Sequence, residues 1–244
     1  DAWVTLAAAA MVTDRIRLGT LLTPVPRVKP WDLASKVGTV DRLSNGRTIL
    51  GAGLGALHQG WTAFEADEGR RARAEKLDEC LAVYDGLMAG QPFEFSGRHY
   101  RAAPTDFMLP DPPVQRPRPP VWVVGAYVVG RDRQPSLERA ARWDGLLPQV
   151  IDRDARGKTD TLQQLADIVG RVRRLRESAG LSWEGYDVVL EADSFGEFVQ
   201  TVPLDASAWA EAGATWWVES WWNLERGEEG MAELRRRVAA GPPS

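Results

Sequence analysis

The chain has almost no sulfur nucleophile and almost no imidazole. A single cysteine, Cys80, leaves no internal disulfide to form, and with only His58 and His99 beside it a Cys/His metal site has too few ligands. An excess of basic charge is also missing: 30 Lys plus Arg face 34 Asp plus Glu, a net charge of −4, and no basic run stands clear of acidic neighbours. Nucleic acid is therefore not an expected partner. No apolar stretch approaches the roughly 20 residues of a bilayer-spanning helix, and the N-terminus carries no charged-then-apolar leader pattern, so no membrane partner is expected either. The cysteine usage fits a reduced, cytoplasmic setting. There is no Gly-x-Ser-x-Gly elbow, no Walker phosphate loop and no paired-carboxylate signature, which leaves hydrolase and kinase chemistry without residues to carry it.

What the chain does have is 244 residues, 44% hydrophobic and 26% charged, enough for one substantial core. Short β-branched or apolar runs alternate with segments of helical period, the pattern of α/β proteins with a parallel sheet. An Ala-rich helix from Asp1 to about Thr13 precedes a strand, Ile16 to Thr23, closed by Pro24 and Pro26. A helix starting near Pro30 ends at Asn45 and Gly46, and Thr48 to Gly53 forms a strand running into a glycine-rich turn. Between Arg70 and Met88 the residues Leu77, Cys80, Leu81, Tyr84, Leu87 and Met88 recur at helical spacing, which predicts one buried face. From about 90 to 118 the pattern breaks into a small hairpin around Ser96-Gly97 and a proline-rich stretch, read as an insertion. The alternation resumes with strand Val121 to Val124, helix Ser136 to Trp143, strand Gly145 to Val150, helix Thr161 to Ala179, strand Tyr186 to Glu191, helix Ala206 to Ala212, strand Thr215 to Ser220 and helix Glu228 to Ala240.

Six strands, each followed by a helix, predict most of a (β/α)8 barrel, which typically takes about 250 residues. The competing fold is a doubly wound open sheet. It would want a dinucleotide fingerprint, and Gly51, Gly53 and Gly55 do follow a strand, but at alternate positions and ahead of a loop rather than a helix.

The segments Ile16 to Pro24, Arg27, Pro30-Trp31, Leu43 to Arg47 and Leu50 to Gly55, in this order and spacing, resemble the bacterial luciferase-like flavin-dependent oxidoreductases. So do Arg73 to Glu79, Ser96 to Tyr100, Pro117 to Val123, Arg139 to Gly145, Glu211 to Trp217 and Gly241 to Pro243. The resemblance implies a single luciferase-like TIM barrel domain over 1–244, with the insertion at about 90–118. In the family a first β-α-β segment precedes the point matched by Asp1, so the resemblance also implies that this chain is N-terminally incomplete. It implies FMN or the deazaflavin coenzyme F420 as cofactor, a small-molecule substrate, and a homodimer as one possible assembly. Two functional readings stay open: an oxidoreductase or monooxygenase in which the cofactor supplies the chemistry, and an inactive flavin-binding or structural relative.

The resemblance also indicates where a cofactor would lie. Thr20, Leu21, Leu22 and Thr23 end a barrel strand, and the family forms a bulge here with a non-proline cis peptide, which alignment puts at Thr20-Leu21. Gly51, Gly53 and Gly55 end the next strand, where a missing Cβ allows backbone to approach a flat ligand or simply makes a tight turn. Gly125 and Ala126 match the region that holds the cofactor phosphate, with Arg131 and Arg133 following. Arg27, Glu191 and Glu219 are the candidates for a substrate pocket, with a structural ion pair as the competing role for Glu219. The tryptophans Trp216, Trp217, Trp221 and Trp222 surround one strand end, and alternate members should point to opposite faces. No catalytic residue is singled out and no metal is expected.

Overall fold

An aspartate opens the first helix: Asp1 Oδ1 accepts the N–H groups of Trp3 and Val4 at 2.9 and 3.3 Å, capping α1 (Ala2–Met11). The computed structural model describes residues 1–57, 60–90, 92–104, 111–151, 162–192, 206–221 and 224–241. It divides into two units, Asp1–Val123 and Val124–Ser244.

In the first unit α1 leads to strand β1 (Leu18–Pro24) and helix α2 (Pro30–Leu43), which has proline in its first turn and stops where Asn45 and Gly46 take positive φ, 54° and 81°. Strand β2 (Thr48–Gly53), helix α3 (Gly69–Ala89), a hairpin of β3 (Phe95–Ser96) and β4 (Arg101–Ala102), and the start of β5 (Val121–Val128) follow. β2 pairs in parallel with β1 on one side and with Val121 to Val123 on the other. The core is the meeting of α2 (Leu33, Ala34, Val37), α3 (Leu77, Leu81, Tyr84, Met88) and β2 (Ile49, Leu50), all buried. The period expected for α3 holds, with Val83 buried in place of the half-buried Leu87.

Two carboxylates fasten the insertion to this core. Asp41, fully buried on α2, accepts the backbone N–H groups of Val114 and Gln115 and the Gln115 side-chain amide, at 2.7, 3.1 and 2.7 Å. Glu79 on α3 accepts three successive N–H groups of the hairpin, from Arg98, His99 and Tyr100, at 2.8, 2.8 and 2.9 Å. Burial works against the charge on Glu79, but these three donors outweigh it and hold the carboxyl below the usual glutamate range. Gly97 is required beside it, since a Cβ there would stand 2.3 Å from Glu79 Oε2.

In the second unit the strand order is β5, β6 (Gly145–Ile151), β7 (Asp187–Ala192), β8 (Trp216–Glu219), with β6–β7 and β7–β8 parallel. Helices α4 (Pro135–Ala140), α5 (Leu162–Ser178), α6 (Ala206–Glu211) and α7 (Glu228–Ala240) alternate with them. Leu137, Leu146, Leu165, Ile168, Val172, Val188 and Trp209 form the core.

Most boundaries shift by one residue from expectation, and three differ for identifiable local reasons. β5 does not stop at Val124 but continues to Val128, where the Gln134 side chain takes both the N–H and the C=O of Val128. α4 ends at Ala140 rather than Trp143, because the carbonyls of Ala141 and Trp143 turn to the buried guanidinium of Arg176. β1 begins at Leu18, and the carbonyl of Ile16 is held instead by Arg47. Among the described residues no helix is long and apolar enough to cross a membrane.

Candidate functional site

The C-terminal ends of β1 and β2 carry irregular backbone. Thr20 pairs with Leu50 and Thr23 with Ala52, so two residues of β1, Leu21 and Leu22, stand against the single Gly51: a bulge. The cis peptide lies inside it, at Leu21-Leu22, not at Thr20-Leu21 as alignment suggested, since Thr20 still keeps ladder register with Leu50. Thr20 and Thr23 are buried and their hydroxyls bond each other at 2.9 Å, Thr20 Oγ1 also reaching the carbonyl of Gly51 at 3.2 Å. By register these threonines share the face of Leu50 and Ala52, and their hydroxyls brace the bulge. Leu21 and Leu22 are half-buried.

The glycines have separate jobs. A Cβ on Gly51 would fall 2.0 Å from the carbonyl oxygen of Thr20, so this glycine admits the bulge itself. Gly55 has φ +75° and a Cβ there would meet Pro24 at 2.9 Å, so it folds the turn under the end of β1. Gly51 and Gly53 alternate with Leu50 and Ala52 and leave the opposite face of β2 without side chains. The Thr20 carbonyl fills that face at Gly51, and the half-buried Leu21 and Leu22 give the bulge an apolar, uncharged edge.

Sequence reasoning passed over the residues that pin this turn. Trp61, buried, donates its indole N–H to the carbonyl of Ala56 at 3.0 Å. Arg73 of α3 donates from Nη1 to the carbonyl of Gly55 at 3.1 Å, and its Nε stands 3.1 Å from Asp67 Oδ1, an ion pair too far out of line for a hydrogen bond. Arg27, the substrate-pocket candidate, stacks over Trp61 at 4.9 Å and pairs with Glu65 at 2.7 Å, with Arg73 at 6.0 Å from the same ring. Arg73 belongs to the Arg73 to Glu79 motif, and its distance from the glycines in sequence hid the contact. His58 lies outside the described residues.

In the second unit Gly125 and Ala126 are mid-strand, not at a strand end as expected, and have local partners. A Cβ on Gly125 would fall 2.1 Å from Leu146 Cδ1 and 3.0 Å from Leu137, so this glycine lets α4 close on the sheet. The Ala126 N–H donates to Ser136 Oγ, which donates to the carbonyl of Val124. Arg133 stands 3.5 Å from Glu138. Glu191 and Glu219 end adjacent strands on opposite faces: Glu191 pairs in register with Val218, and Ala192 with Glu219. Glu219 accepts the Trp217 indole N–H at 3.0 Å and lies 3.5 Å from Arg237 of α7, the ion pair that competed with a pocket role. Glu191, exposed, accepts the Ser220 hydroxyl. Trp216 bonds Asp187 and the adjacent Trp217 bonds Glu219 on the other face, so the expected alternation is present within β8; Trp221, past the strand, stacks with Arg237, and Trp222 lies outside the described residues.

Parallel strands alternating with helices, with a bulge at strand C-termini, the end at which barrel enzymes carry their sites, define an α/β protein. The chain belongs to the luciferase-like monooxygenase family, whose profile matches residues 1–241. It is 30% identical over 195 residues to the uncharacterized protein Rv0940c of Mycobacterium tuberculosis, covering 80% of this chain and 60% of that one. Among solved structures, monooxygenase RslO1 of Streptomyces bottropensis superposes with a TM-score of 0.63 at 26% identity, over 79% of this chain and 54% of that one. The oxygenating constituent of 3,6-diketocamphane monooxygenase of Pseudomonas putida, in complex with FMN, gives 0.62 at 20% identity over 78% and 51%. The coenzyme F420 dependent tetrahydromethanopterin reductase of Methanopyrus kandleri gives 0.62 at 20% identity over 79% and 54%. At 20% identity the last two bear on the fold alone. This chain thus spans little more than half the length of the proteins it matches.

Proposed function

We propose that the protein is a flavin- or deazaflavin-dependent oxidoreductase of the luciferase-like barrel type, acting on a small organic substrate. The observation that carries this reading is the bulge of β1, with half-buried Leu21 and Leu22, at the C-terminal ends of two parallel strands, where barrel enzymes place their ligands. The two leucines offer the apolar edge a flat isoalloxazine or deazaflavin ring needs, and family membership supplies the chemical class. When bound, the cofactor would supply hydride or reduced-oxygen chemistry; the protein's part is orientation and exclusion of water. Leu21 and Leu22 would give the apolar contact, Gly53 the close backbone approach, Gly51 the room for the bulge, and Thr20 and Thr23 the brace that holds it.

Titration of the purified protein with FMN and with F420, each followed by its fluorescence, tests the proposal. One of the two should bind saturably, and Gly53→Val should weaken it while the circular dichroism spectrum stays unchanged. Absence of saturable binding of both cofactors would refute the reading.

A further inference from the structure

The turn that follows β2 is glycine-rich, yet it is held from outside by residues that are not glycine. The carbonyl of Gly55 takes the Arg73 guanidinium at 3.1 Å, and the next carbonyl, of Ala56, takes the Trp61 indole at 3.0 Å. Both side chains are well buried, with the Arg73 side chain 11% exposed and Trp61 6%. Arg73 is fixed in turn by Asp67 at 3.1 Å and faces the Trp61 ring, whose other cation is Arg27. Glycines leave a backbone many conformations. Two successive carbonyls held by rigid, enclosed donors remove that freedom, and hydrogen bonds from a charged donor are the stronger kind.

We propose that Arg73 is a positioning residue: from α3 it fixes the Gly55 carbonyl and thereby sets the backbone of the Gly53-Leu54-Gly55 turn against which the cofactor lies. The inference rests on the cofactor reading above. It assigns no contact between Arg73 and the cofactor; the residue acts through the turn. Its charge is already engaged by Asp67, so its role is geometric rather than attraction of an anionic group.

The test compares Arg73→Met, which keeps the length and removes the donors, with Arg73→Lys, which keeps a charged donor. Arg47→Met serves as a control, because Arg47 ties the ends of α1 and α2 in the same unit and does not touch the turn. Three quantities are measured on each: amide hydrogen exchange of residues 54–57 without cofactor, the dissociation constants for FMN and F420, and the melting temperature. Arg73→Met should speed exchange in the turn and weaken cofactor binding by about tenfold, the equivalent of about 1.4 kcal/mol. Arg73→Lys should recover part of both, and Arg47→Met should lower the melting temperature while leaving turn exchange and affinity at wild-type values. Wild-type exchange and affinity in Arg73→Met would overturn the proposal, and so would an equal loss of affinity in Arg47→Met, which would make the effect one of general stability. Saturable binding by neither wild-type protein nor variants would overturn the cofactor reading and this proposal with it, whereas binding indifferent to Arg73 would overturn this proposal alone.

Discussion

Replacing Glu79 by glutamine changes one atom and should open the clasp between α3 and the hairpin. The carboxylate splits its work: Oε1 takes the Arg98 N–H at 2.8 Å, and Oε2 takes those of His99 and Tyr100 at 2.8 and 2.9 Å. A glutamine amide has one acceptor, so at best it keeps the pair on one side and presents its own N–H groups to the third donor. Bonds to a charged group are worth about 1.5–3 kcal/mol each when enclosed and neutral ones about 0.5–1.5. Glu79 is only half-buried, and solvent screens part of the difference, which leaves a net loss of about 2 kcal/mol. At about 2–4 °C per kcal/mol for a chain of this size, the melting temperature should fall by about 4–8 °C. The pH dependence follows from the direction of the shift: burial raises the carboxyl, the three donors lower it more, and the folded value lies below the unfolded one. The stabilisation is therefore complete above the unfolded value of about 4.3 and is lost as pH falls through the lower folded value. Melts of both proteins at neutral pH and in acid check this. The gap should be wide at pH 7 and close in acid, and Gly97→Ala, which pushes a Cβ to 2.3 Å from Glu79 Oε2, should reproduce the neutral-pH loss. A Glu79→Gln protein that melts with wild type at pH 7, or a gap that persists unchanged in acid, would refute the account.

In the second unit Arg176 donates to the carbonyls of Ala141, Trp143 and Ser182 from a site 9% exposed and stacks on Tyr186 at 4.3 Å. Arg176→Ala leaves three carbonyls without that donor and should cost about 3–5 kcal/mol in chemical denaturation; a cost within about 1 kcal/mol would mean that water or a rearranged loop replaces it. The Cys80 thiol, fully buried, is pushed up to about 12 by that burial. It should resist thiol reagents at mildly alkaline pH in the native protein and react once the chain unfolds, whereas rapid native labelling would show that α3 opens.

Helices with strong punctuation were readable from the residues alone. α7 has the bounds its pattern predicts, and α2 stops at Asn45-Gly46 because those residues take positive φ. What stayed hidden were contacts made at long range by charged residues. The strings Arg73 to Glu79 and Ser96 to Tyr100 stood out separately as family motifs, but that one clasps the other through Glu79 depends on a separation of about twenty residues that no local period records. In α5 the apolar residues Leu162, Leu165, Val169, Val172 and Leu175 mark a face, yet the deepest positions are Leu165, Ile168, Val172 and Arg176, a small rotation that a reading of charge as exposure cannot find. The same holds at the candidate site. The glycines were visible and the resemblance implied the bulge, whereas Arg73 and Trp61, which hold the turn, were not visible, and the cis bond was displaced by one residue because register, not alignment, locates it.

Each unit uses the same device where its strands begin. Arg47, immediately before β2, donates to the carbonyls of Ala10, Thr13, Ile16 and Ser44, closing the entry to β1 against the ends of α1 and α2. Arg176 does this for the entries to β6 and β7 through Ala141, Trp143 and Ser182. A guanidinium suits the task because helix ends and loops present carbonyls with no intrahelical partner, and its planar array of donors satisfies several at once. Where strands end, the first unit has instead a bulge admitted by Gly51 and a turn whose backbone is set by Arg73. This division matches barrel enzymes, in which the N-terminal side of the strands secures the fold and the C-terminal side carries the chemistry. It follows that changes at Arg47 and Arg176 should register in stability and leave ligand affinity alone, while a change at Arg73 should register in both, because that residue is fastened to the core at one end and to the site at the other.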